Sequence, residues 1–115
     1  MKPDRPRRVA FVNEKVKKAY ENLAEGPFEE KRLYEAIAGV IYDLRENPLC
    51  GVRVPSSLWP KQYARYGIDN LFKYDLPEGW RLIYYLRGTE VEIVSIILEW
   101  FDHKNYERRF GYGKK

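Results

Sequence analysis

The chain is poor in the side chains that build disulfides and metal sites: it has one cysteine, Cys50, and one histidine, His103, in 115 residues. A lone thiol closes no disulfide within the chain, which fits a reducing cytoplasmic interior. One histidine and one thiol also fall short of the usual His/Cys zinc sets, so no metal or other cofactor is expected. No apolar run approaches the ~20 residues that span a bilayer, and no membrane association is expected. The first eight residues are basic, but no apolar stretch follows them, so no secretory leader is read. Repeats and low-complexity linkers are absent. What remains is 44% hydrophobic and 33% charged, a balance that builds a core. The length suits one domain over residues 1–115.

The net charge of +4 is unevenly spread. Residues 1–18 carry +5, 19–50 carry −4, 51–75 carry +2, 76–99 carry −2 and 100–115 carry +3. Three basic blocks thus alternate with two acidic ones. If the basic blocks at 51–75 and 100–115 meet, they make a face suited to phosphate. The plainer alternative is a solvated surface.

Arg7–Val12 reads as a first strand, followed by Asn13 as a helix N-cap. Val16, Ala19, Tyr20 and Leu23 then form one apolar stripe at helical spacing. Gly26-Pro27 ends that helix. Leu33, Ala36, Ile37, Val40, Ile41 and Leu44 repeat the spacing until Asn47-Pro48, where proline disfavours helical geometry in the preceding residue. The pair reads as an antiparallel helical hairpin. Residues 49–70, rich in Pro, Gly and aromatics, read as a long loop of the kind that often carries function. Strands are expected at 71–76, 80–86 and 90–98, joined by turns at Pro77-Glu78-Gly79 and Arg87-Gly88-Thr89. The tail from Trp100 to Lys115 is basic and aromatic. The class is α+β: an N-terminal strand and an antiparallel helical hairpin packed on a small antiparallel sheet, in the order β-α-α-β-β-β plus tail.

The Pro77-Glu78-Gly79 turn should bring Lys73 and Arg81 opposite each other to within about a residue, on one sheet face. Two adjacent cations repel unless an anion lies between them, and a phosphate would supply one. The alternative is that each points to solvent or pairs with Asp75, Glu90 or Glu92. His103 is the only side chain whose ordinary pKa lies near neutrality. Tyr106 follows three residues later, close enough to share a helical turn with it. Metal-free RNA cleavage needs a base for the 2′-hydroxyl, cations for the phosphorane and an acid for the leaving 5′-oxygen. Lys73, Arg81, His103 and Tyr106 cover those roles by type. Trp59, Tyr63 and Tyr66, interleaved with Lys61 and Arg65, can stack bases and hold a backbone, or form a satellite hydrophobic cluster. Arg53, Lys104, Arg108 and Arg109 complete the basic set expected to contact RNA.

The order of elements, with Trp80-Arg81-Leu82-Ile83-Tyr84 and His103-Lys104-Asn105-Tyr106, resembles the RelE/ParE superfamily of toxins from type II toxin–antitoxin pairs. The first motif is similar to that family's Arg-Leu-Val/Ile-Tyr strand, and the second to the His-x-x-Tyr ending of RelE-like branches. The resemblance implies a cytoplasmic endoribonuclease that cleaves mRNA in the ribosomal A site and is silenced by a cognate antitoxin. It makes Arg81 the phosphate-binding arginine, His103 the general acid/base and Tyr106 the C-terminal aromatic. Lys73, with Lys61 or Arg65, matches more loosely the lysines that stabilise phosphate and touch rRNA. A homodimer or a toxin–antitoxin hetero-oligomer is compatible with it. Two alternatives remain: a ParE-like gyrase poison, and an inactive binding module of the same fold. The 49–70 loop is long for the family.

Overall fold

The computed structural model describes residues 5–111. Tyr112, at the end of the basic tail, lies outside them. The chain runs β1 (Arg7–Phe11), α1 (Glu14–Leu23), α2 (Phe28–Glu46), β2 (Val52–Arg53), β3 (Phe72–Asp75), β4 (Arg81–Gly88), β5 (Ile93–Phe101) and α3 (His103–Phe110). Short 3₁₀ turns at Ser56–Leu58 and Lys61–Tyr66 order the long segment after β2. The class is α+β, as expected.

Local signals set the first half. The Asn13 side chain accepts from Val16 N at 2.9 Å and starts α1. Leu33, Ile37, Val40 and Leu44 form the buried stripe of α2, which ends one residue before Asn47. The five strands lie in the order β1-β5-β4-β3-β2. The sheet is mixed: β1 runs parallel to β5, and the other neighbours are antiparallel. The N-terminal strand is therefore an edge of the sheet itself, and a two-residue strand from the long loop forms the other edge.

Each sheet face has its own core. On one, the α2 stripe meets Phe72, Leu82, Tyr84 and Ile97, with Tyr20 and Leu23 of α1 at the margin. On the other, Leu71, Ile83, Tyr85, Leu98 and Phe101 meet Tyr63 of the long segment and Tyr106 and Phe110 of α3. The acidic helix α2 thus covers the face opposite α3. Buried Tyr84 ties the connection after α2 to the sheet: its hydroxyl donates to Pro48 O at 2.8 Å and accepts from Gly51 N at 2.9 Å. A Cβ at position 51 would stand 2.7 Å from that hydroxyl, so the approach requires glycine.

Three boundaries differ from expectation. The first is that of β4, which runs on through Arg87 and Gly88, paired with Val94 and Ile93, where a turn was expected. Thr89 Oγ1 accepts from Val91 N at 3.1 Å and Glu92 N at 3.0 Å, which folds residues 89–92 into a turn. The last strand consequently runs 93–101 rather than 90–98. The expected tail begins as strand at Trp100 and continues as helix α3. Three of the seven cations of the N-terminal basic block are engaged by the fold. Arg8 pairs with Glu92 at 2.8 and 3.1 Å, Arg7 donates to Glu46 O at 2.8 Å at the end of α2, and Arg5 donates to Thr89 O. No helix among the described residues is long and apolar enough to cross a membrane.

Candidate phosphate site beside α3

The site begins with the register of β3 and β4. The turn over Pro77–Gly79 sets Leu76 N against Trp80 O at 2.8 Å, so Asp75 faces Arg81 and Lys73 faces Ile83. Lys73 and Arg81 are two positions out of register, and Asp75 stands between them on the same face. Its Oδ1 lies 3.3 Å from Lys73 Nζ and 3.0 Å from Arg81 Nε. The alternative raised by the sequence, pairing with Asp75, is the arrangement found. Lys73 and Arg81 retain only 24% and 20% of their side-chain exposure, whereas Asp75 retains 55%. The cations are sunk into the face and the carboxylate caps them from the solvent side. Glu78, in the turn, adopts φ 64°, an uncommon conformation for a residue with a Cβ, and Arg32 of α2 reaches it at 2.6 Å.

Helix α3 supplies the floor. Asp102 caps it, accepting from Asn105 N at 2.9 Å, and Gly111 at φ 78° ends it. Tyr106 is buried, and its ring centroid lies 6.0 Å from Lys73 Nζ and 5.5 Å from Arg81 Cζ. Both cations thus rest against one aromatic ring, within the range of cation–π attraction. His103 is 60% exposed, and its Nε2 lies 3.0 Å from Glu107 Oε2 one turn on. A Cβ at Gly79 would stand 3.4 Å from His103 Cβ, which places the base of His103 beside the turn that precedes Arg81. Lys73, Arg81, His103 and Tyr106 therefore share one flank of α3. Glu107 was missed by sequence reading, although its spacing of four from His103 was the available signal.

The other flank holds a different cluster. A bulge in the β4–β5 register turns both Leu98 and Glu99 toward α3. Glu99 Oε2 accepts from the hydroxyl of buried Tyr63 at 2.5 Å and lies 3.5 Å from Arg109 Nε. The Arg109 guanidinium also lies 5.5 Å from the Phe101 ring. Burial, and then the Glu99 charge, push the Tyr63 phenol far above its ordinary pKa. Beyond this cluster a groove of about 790 Å³ runs between α1 and the 61–66 turn, along the stretch of β5 past its pairing with β1. Lys15, Lys61, Arg65 and Arg109 line it with Tyr66 and Trp100. Arg65 stacks on Tyr66, 5.0 Å from ring centroid to Cζ. Helical geometry, 3.6 residues per turn, puts Arg109 on the side of α3 away from His103 and Glu107.

The structure thus divides the basic residues. Lys61, Arg65 and Arg109 share the groove, and Arg108 joins Lys61 and Trp59 around a neighbouring cleft of about 680 Å³. Lys104 is exposed on the first turn of α3. Arg53 stands apart: it pairs with Phe72 in the register and lies over that ring at 5.6 Å, on the side of the sheet that α2 covers. Among the described residues, no group of three or more His, Cys, Asp or Glu is placed to hold a metal ion. Comparison with protein-family models, curated proteins and solved structures found no match to this chain.

Proposed function

We propose that the chain is a RelE-like toxin: a metal-independent endoribonuclease of the cytoplasm that cleaves mRNA on the ribosome and is silenced by a cognate antitoxin. The observation that carries the reading is the convergence of Lys73 and Arg81 on one anion position over the Tyr106 ring, with the base of His103 against the turn that precedes Arg81. A phosphodiester in that position meets the Nε edge of a guanidinium and an ammonium, cations that stabilise a phosphorane. The 2′-oxygen attacks phosphorus, the bond to the 5′-oxygen breaks, and a 2′,3′-cyclic phosphate and a 5′-hydroxyl result. Glu107 holds Nε2 of His103, leaving Nδ1 to accept the 2′-hydroxyl proton. The same imidazole returns that proton to the 5′-oxygen. The role of Tyr106 is to carry the two cations on its ring. The groove with Lys61, Arg65, Tyr66 and Trp100 then takes the flanking single strand by charge and stacking.

Expression of the wild-type chain should arrest growth and create new mRNA 5′ ends at fixed codon positions. Arg81→Ala and His103→Gln should remove both effects. Wild-type protein that creates no such ends sinks the nuclease reading. Growth arrest with trapped gyrase and intact mRNA would instead select the gyrase poison.

A further inference from the structure

Asp75 occupies the place that the proposed substrate phosphate needs. Its Oδ1 touches both cations, at 3.3 and 3.0 Å, and among the described residues no other carboxylate pairs with either of them. A carboxylate oxygen held by an ammonium and a guanidinium makes the contacts that a phosphodiester oxygen would make. The two cations are fixed by burial and by the Tyr106 ring, whereas the Asp75 side chain is more than half exposed and has no other hydrogen-bond or ion-pair partner among the described residues. The site is thus built so that the anion can leave and the cations stay.

Resting on the endoribonuclease reading, we propose that Asp75 sets the anion specificity of this site by acting as a resident phosphate surrogate. A ligand must displace it, so a lone small anion competes poorly. A single-stranded RNA, which adds stacking and further phosphate contacts in the neighbouring groove, displaces it. The carboxylate is a filter against simple anions and weakens binding of the true substrate by the same competition. It is not assigned a part in bond making.

The test uses the full chain and its near-isosteric variant Asp75→Asn, with inorganic phosphate and a short single-stranded RNA as probes. Asp75→Asn should bind the RNA at least fivefold more tightly and bind phosphate measurably where the wild type does not. In cleavage assays KM should fall while kcat holds, a split that a purely structural residue would not give. Arg81→Ala in the Asp75→Asn background should abolish the gain. Unchanged or weaker RNA binding by Asp75→Asn, while Arg81→Ala alone weakens binding, overturns the surrogate and leaves the nuclease reading standing. RNA binding insensitive to Arg81→Ala overturns both.

Discussion

The two flanks of α3 carry the same kinds of side chain and use them oppositely. On one, two sunken cations share a single exposed carboxylate over Tyr106. On the other, one carboxylate, Glu99, is held by a buried phenol and a single arginine. The first cluster has surplus positive charge and a replaceable anion. The second is balanced and its anion is fixed. Arginine beside a carboxylate therefore says little by itself; the count of cations per carboxylate, and which partner is buried, separates a binding site from a brace.

The largest expected effect tests that division directly. Arg81→Ala should lower kcat/KM for RNA by about a hundredfold, the scale of losing a charge-stabilising donor. Arg109→Ala should lower it by less than about tenfold, and equal losses would erase the distinction. Stability should respond in reverse. Glu99→Leu leaves the Tyr63 hydroxyl buried without its acceptor and should cost about 1–3 kcal/mol in urea unfolding. Asp75→Asn should stay within about 0.5 kcal/mol of wild type.

A third prediction uses pH. The folded-state pKa of Tyr63 is raised, and that of Tyr74 is pushed up to about 12, chiefly by its hydrogen bond to Asp43. Raised phenols favour the folded state fully below the unfolded value of about 10, and that contribution drains as pH climbs toward the folded values. Urea midpoints should therefore fall between about pH 10 and 12. Tyr63→Phe should flatten the fall, and an unaltered profile would contradict the brace. The smallest effect concerns the turn that sets Arg81. Glu78→Asn suits the left-handed backbone better and should raise stability by a few tenths to about 1 kcal/mol, read as a small rise in Tm.

What the sequence disclosed was mostly local. Asn13 as a cap, the α2 stripe and the Asn47-Pro48 stop each act within a turn or two of chain, and each appears where its chemistry places it. The β3–β4 hairpin was equally visible, and its turn implies the register found, although Lys73, expected within a residue of Arg81, lies two positions away. Three residues in the turn, rather than a looser closure, slide Asp75 opposite Arg81 and turn a presumed cation pair into a bridged triad. Helix α3 was hidden by its charge. Tyr106 and Phe110, four residues apart, are its only buried positions in a segment that otherwise reads as a solvated tail. The bulge that aims Glu99, and the parallel docking of β1, depend on partners far along the chain, which periodicity does not reveal.

That parallel docking bears on when the protein becomes active. Residues Arg7–Phe11 pair with Ile93–Ile97, and β5 lies between β1 and β4. The strand that joins the sheet together follows the other four in chain order, and α3, which floors the proposed phosphate site, follows it. Such long-range pairing is slow to form and waits until β5 has been made. The first strand must leave the ribosome and remain unpartnered until the last has emerged. Under the proposed function, the site thus stays unassembled until β5 and α3 have been made.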